Sequence, residues 1–359
     1  MLNFTVGPVM SNEEILKIGA EQVPYFRTQE FSNIMLENER LLKKFFKATD
    51  DSRVIFMTGS GTASMDACVQ NLLNNDDKIL IINGGSFGHR FCEICDVYNL
   101  KYTEIKCEFG KTLTREQLFE FDGKGYTSLL VNIDETSTGV LYDINLISKF
   151  CKKNNIFLIV DSISSFLCDP FNMNDLGVNA VITGSQKALA LAPGLSFICV
   201  DHKAIDKINS NTPKSYYFNL KSYLINGVRG QTPFTPAVGI LIQLNKRLKM
   251  IDEIGGVDAE IERTKNRALY FRNKIKDLPF EICSNNLSNA VTPLSPIDKS
   301  KSAYKLFEVL KDKYGIWVCP NGGGLKDIIF RVGHIGEIDY KDYDYLVDSL
   351  KDIINKKLW

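Results

Sequence analysis

The chain has 359 residues, 44% hydrophobic and 24% charged, a composition that suits a globular protein with room for two domains. Its 43 basic and 43 acidic residues balance, which removes the electrostatic case for nucleic acid or an anionic membrane as the main partner. No apolar run reaches the length needed to cross a bilayer, and the opening MLNFTVGPVMSNEE lacks the basic and apolar segments of a signal peptide.

In chain order, six short runs rich in Ile, Leu and Val are predicted as strands: Arg53–Met57, Lys78–Ile82, Thr127–Asn132, Ile156–Val160, Asn179–Thr183 and Ser196–Val200. Nearly continuous apolar strands belong in a sheet covered on both faces. Segments of helical period, such as SMDACVQNLL and INLISKFCKKNN, lie between the first five. Repeated βα units predict an α/β fold, with a large domain built on a mostly parallel sheet flanked by helices. After about Arg247 the texture changes to a long charged helix, DAEIERTKNRALYFRNKIKDL, a break at PLSPIDKS, and the helix AYKLFEVLKDKYG. IIFRVGHIG and a final helix, DYKDYDYLVDSLKDIINKKL, follow. This reads as a smaller C-terminal α+β domain, 248–359, after a large domain over 16–247.

The nine cysteines are scattered. Cys92 and Cys95 form one CxxC, but it stands alone and falls in a predicted helix, so no metal site is expected. Such cysteine use fits a reduced, cytoplasmic compartment.

Ligands of open α/β sheets sit at the carboxyl ends of the strands. After the first strand, Gly59, Ser60, Gly61 and Thr62 lead into a helix whose free N–H groups suit a phosphate. A plain strand-to-helix turn explains them equally well, since they match neither GxGxxG nor GxxxxGK[ST]. Asp161 ends the strand IFLIV, where a buried carboxylate needs a partner, either the next helix or a cationic ligand. Lys187, in VITGSQKALALAPGLSF, is a single amine among small and apolar neighbours. In a low-dielectric site its pKa falls and it becomes a nucleophile of the Schiff-base type. A phosphate cradle, a carboxylate and an amine at one sheet edge meet the needs of pyridoxal phosphate, and Phe87 in NGGSFGHR offers a ring to stack on it.

With these motifs, FTVGPV, FRTQEF, DETSTGVL, QTPFTP and FRVGHIG in order along nearly the whole chain, the sequence resembles the class V, fold-type I pyridoxal phosphate aminotransferases. The branch it is most similar to holds the alanine–glyoxylate, serine–glyoxylate and 2-aminoethylphosphonate–pyruvate enzymes. The resemblance implies a Schiff-base and proton-shuttle role for Lys187 and pairing of Asp161 with the pyridinium nitrogen. It implies phosphate contacts from Ser60, Gly61 and Thr62, ring stacking by Phe87, and a hydrogen bond near the ring hydroxyl from Thr136. Gln186 is implied near the phosphate, and Thr232 would reach the phosphate of a second subunit in a homodimer. Arg331 would grip a substrate carboxylate, and Gly7 would line the pocket from an N-terminal arm, 1–15.

Phe26 stands where many relatives have His, and Arg229 where Tyr is expected in the alanine–glyoxylate branch. The predicted reaction moves an amino group from alanine or serine to glyoxylate or pyruvate, with 2-aminoethylphosphonate as the alternative donor. Arg27, Arg90 and Arg229 are extra cations that suit a dianion. Two readings from other classes are a cysteine desulfurase using Cys319, in WVCPNGGG, and a non-catalytic nucleotide-binding module using GSGT. The second leaves Lys187, Asp161 and Arg331 without a purpose.

Overall fold

The computed structural model describes all residues, 1–359. Its strands are β1 (Leu2–Phe4), β2 (Arg53–Thr58), β3 (Ile79–Asn83), β4 (Tyr102–Lys106), β5 (Ser128–Asn132), β6 (Asp134–Glu135) and β7 (Val140–Leu141). These are followed by β8 (Phe157–Asp161), β9 (Ala180–Gly184), β10 (Leu195–Val200), β11 (Phe280–Ile282), β12 (Val291–Pro296), β13 (Ile316–Pro320) and β14 (Phe330–Gly333). Seven of them form one sheet in the order β2-β10-β9-β8-β5-β3-β4, parallel except for β10, which runs antiparallel to both neighbours.

Alternation along each strand explains why these runs carry so few polar residues. Leu80, Ile82, Leu129, Val131, Leu158 and Val160 enter the core on one face. Ile79, Ile81, Leu130, Ile159, Ala180 and Ile182 enter a second core on the other. A strand buried on both faces has no solvent side to mark with charge. All six predicted strands form, within a residue or so at each end. The edge strand β4 was not predicted, because YTEIK is too polar to read as a buried run.

The smaller sheet has the order β1-β13-β14-β12-β11 and carries a third core around Phe4, Phe330, Leu346 and Tyr343. Two expectations need correction here. PLSP is no break: Pro293 and Pro296 lie inside β12, whose six residues are all buried. Proline lacks the N–H but keeps its carbonyl, and Pro293 O accepts from Cys283 N at 3.2 Å. The helix Val238–Glu253 runs straight through residue 247; the chain turns at Gly255 and Gly256, both at positive φ (112° and 77°). We propose the division between the two domains at these glycines. The N-terminal strand β1 also pairs with β13 of the small sheet, in parallel.

Candidate active site

The segments that follow β2, β3, β5, β8 and β9, with β14 of the small sheet, carry most of the residues that the sequence singled out; Gly7 comes from the N-terminal arm. Gly61 opens the helix Gly61–Leu72, and its N-cap, Ser60, makes no side-chain capping bond. The first N–H groups of this helix therefore stay available to an anion, with the helix dipole behind them. A side chain on Gly61 would collide with Ile163, so glycine lets the helix start close against the loop that follows Asp161.

A second helix, Ser86–Val97, begins nearby, but its N-terminus is already filled. Glu135 accepts from Phe87 N at 3.2 Å and Gly88 N at 2.9 Å, and Ser137 Oγ accepts from Ser86 N at 3.2 Å. Glu135 is fully buried, so these N–H groups satisfy it. The pair fixes the helix that carries Phe87. Arg90, one turn on, lies over the Phe87 ring at 4.9 Å and donates to Thr62 Oγ1 at 3.2 Å. The Cys92 thiol donates to Glu104 at 3.7 Å, and Glu104 is also met by Asn83 and by Lys106 at 3.2 Å.

Asp161 is 1% exposed. Its Oδ2 accepts from Asn132 Nδ2 at 3.0 Å, across the β5–β8 register, and its Oδ1 from Ile163 N at 2.8 Å. The carboxylate thus closes a turn rather than capping a helix. Burial pushes its pKa up to about 6, while the Ile163 and Asn132 bonds pull it down. Thr136 Oγ1 donates to Ser164 Oγ at 2.7 Å, which ties DETSTG to the loop after Asp161. The Gln186 Oε1 atom is buried without a partner.

Lys187 follows β9 and is 8% exposed. Its Nζ donates to Val6 O at 2.6 Å. Burial lowers its pKa; Cys319, Asp134 and Asp161 pull it back up, and Arg331 adds to the lowering. Gly7, at φ +125°, packs on the lysine so closely that a Cβ there would stand 2.7 Å from Lys187 Cδ. Behind the loop, the buried Arg247 donates to Leu189 O at 3.2 Å and pairs with Glu260 at 2.8 Å.

Arg331 comes from β14 and is 7% exposed. Its Nη1 donates to Thr136 O at 2.9 Å and its Nη2 to Pro320 O at 2.8 Å, while its Nε has no partner. Thr232 stands apart: its Oγ1 donates to Phe234 O at 2.7 Å and none of its bonds reaches the Lys187 group. Arg27 is spent on Thr232 O (2.9 Å) and Gln231 Oε1 (3.1 Å), and Arg229 on the neighbouring Asn226 (2.9 Å). Sequence reasoning missed Asn132, Glu135, Val6 and Arg247. Asn132 and Glu135 are polar residues at the end of an apolar run, a signal open to inspection; a backbone carbonyl such as that of Val6 leaves none.

This arrangement can hold an anion at a helix start, a cationic ring nitrogen at Asp161 and a carboxylate at Arg331, with a buried amine of lowered pKa beside them. The chain is similar to several known proteins. An uncharacterized aminotransferase of Methanocaldococcus jannaschii is 32% identical over 335 residues, covering 92% of this chain and 86% of that protein. A 2-aminoethylphosphonate–pyruvate transaminase of Lysinibacillus sphaericus is 27% identical, covering 83% and 82%. The solved structure of a subgroup IV aspartate aminotransferase from Thermus thermophilus superposes with a TM-score of 0.91 at 24% identity, covering 99% of both chains. No helix is long and apolar enough to cross a membrane. The family model "Aminotransferase class-V" matches residues 22–319, and the chain belongs to that family.

Proposed function

We propose that this enzyme uses pyridoxal phosphate to move an amino group from alanine or serine to glyoxylate or pyruvate. The residues fit the cofactor: free N–H groups at Ser60–Thr62 for its phosphate, the buried Asp161 for its ring nitrogen, and Lys187 for its aldehyde. When bound, the cofactor supplies an electron sink for charge that develops on the substrate α-carbon. Asp161 holds the ring proton, and the Phe87 ring and Thr136 orient the ring. Lys187 moves the proton at the α-carbon, and burial, which lowers its pKa, favours the neutral amine that accepts it.

One observation carries the choice of donor. Of the four arginines that could hold substrate anions, Arg27 and Arg229 are tied up elsewhere and Arg90 faces Phe87 and Thr62. Arg331 alone is left to receive a carboxylate, its Nη atoms resting on two backbone carbonyls. An arginine fork matches a carboxylate with two parallel bonds, and none of the other three arginines is left to balance a second negative charge. The 2-aminoethylphosphonate relative keeps that donor as the second reading.

The test is the amino half-reaction. The cofactor-loaded protein is mixed separately with alanine, serine and 2-aminoethylphosphonate, without a keto acid. Conversion of the cofactor's absorbance by alanine or serine alone supports this reading. Conversion by the phosphonate alone overturns it.

The active unit we propose is a homodimer in the cytoplasm. Exposed apolar residues close to Thr232 in the chain, Ile225 and Val228, and Leu36 on a neighbouring helix support a second copy covering this face.

A further inference from the structure

Cys319 belongs to no step described so far. It lies in β13 directly opposite Arg331 in β14, and the two strands are antiparallel. Residues in such a pair project from the same face, with Cβ atoms about 5 Å apart. The two side chains also share an acceptor: Pro320 O receives Arg331 Nη2 at 2.8 Å and the Cys319 thiol at 3.7 Å. Cys319 is also within electrostatic reach of Lys187. The thiol therefore lies close both to the group that would hold a substrate carboxylate and to the amine that would act on its α-carbon.

The other eight cysteines are placed differently. Cys68, Cys92, Cys95, Cys151, Cys168 and Cys199 are buried. Cys107 and Cys283 are half-buried like Cys319. Both lie just past the end of a strand, Cys107 after β4 and Cys283 after β11, and have no cross-strand partner.

We propose that Cys319 walls the substrate pocket, and that small 2-halo carboxylates docking on Arg331 alkylate its thiol. This rests on the reading of Arg331 as the carboxylate site. The step balances without a further reactant. The sulfur, as thiolate, attacks the carbon bearing the halogen, and an S–C bond forms. The carbon–halogen bond breaks, halide leaves with the bonding electrons, and the thiol proton goes to the buffer. In iodoacetate the reactive carbon is bonded directly to the carboxyl carbon, so an acid seated on Arg331 brings it to the adjacent residue.

The experiment treats the cofactor-loaded protein with iodoacetate or with its neutral counterpart, iodoacetamide. Each cysteine is followed by peptide mass spectrometry, with Cys107 and Cys283 as internal references. Iodoacetate should label Cys319 with a rate that saturates, and pyruvate should slow it. Relative to the reference thiols, the preference for iodoacetate over iodoacetamide should be about tenfold or more, because docking raises the local concentration of the reagent. Arg331→Gln should remove saturation and pyruvate protection yet leave Cys319 open to iodoacetamide. Labelling of Cys319 in the parent protein that neither saturates nor responds to pyruvate overturns the proposal. The alanine half-reaction on the same preparation then separates the cases: conversion means that the aminotransferase reading stands and only the place of Cys319 falls.

Discussion

Gly7 and Lys187 touch although 180 residues separate them: Gly7 has no room for a Cβ, which would stand 2.7 Å from Lys187 Cδ and 3.1 Å from Gln186 O. The φ of +125° adds a backbone reason for glycine. Gly7→Ala should therefore displace either the arm or the lysine. We expect kcat to fall by about tenfold or more, as small misplacements of a reacting group do. Circular dichroism and the melting temperature should change little, because the site lies at the end of a short arm. Unchanged kcat would mean that the arm moves aside at no cost.

Lys187→Ala should abolish turnover, with a loss of about a thousandfold or more, since it removes the group that transfers the proton. The fold should persist, because the only hydrogen bond lost is the one to Val6 O. Steady-state transamination and a near-ultraviolet spectrum test both halves of the statement. Normal turnover would leave the buried amine without a purpose.

Asp161 should contribute to the stability of the cofactor-free protein an amount that is lost as the pH rises from about 4 to about 6. Burial raises the folded pKa of Asp161 to about 6 from an ordinary 3.8. A raised carboxyl pKa contributes stability below the unfolded value, and that contribution is gone once the pH passes the folded value. The full effect is on the order of 2 to 3 kcal/mol. Asp169, also raised to about 6, adds a similar dependence. Asp161→Asn should remove the Asp161 share of the pH dependence, read as a pH-dependent difference in melting temperature between parent and variant across this window; an identical profile in the variant would show that Asp161 stays ionised.

Arg90 donates to Thr62 Oγ1, which leaves the hydroxyl proton of Thr62 free to point at an anion. Arg90→Gln should weaken the binding of pyridoxal phosphate by about tenfold, the worth of one charge-assisted hydrogen bond. Pyridoxal, which has no phosphate, should bind nearly as before. Fluorescence titration with both compounds reads the difference, and equal weakening would assign Arg90 to Phe87 alone.

The large sheet was legible because burial on both faces leaves an unbroken apolar signature, as in ILII of β3 and FLIV of β8. Asp161 and Lys187 stood out because each is a charge beside such a run. β12 was hidden by its two prolines, and β4 by the polar side chains of an edge strand. The place of Cys319 could not be read from one dimension, since it depends on the register of β13 against β14. Glu135 was hidden for a similar reason, as its partners are backbone N–H groups 48 and 47 residues away.

The N-terminal arm has one further consequence. Residues 2–4 are stitched to β13, and Glu337 N donates to Met10 O, so the arm is fastened at both ends to the smaller sheet. Its middle, at Val6, holds the amine of a lysine that belongs to the larger one. The arm is thus a latch between the two bodies. A rotation of the small sheet away from the large one would have to draw the Val6 carbonyl off Lys187.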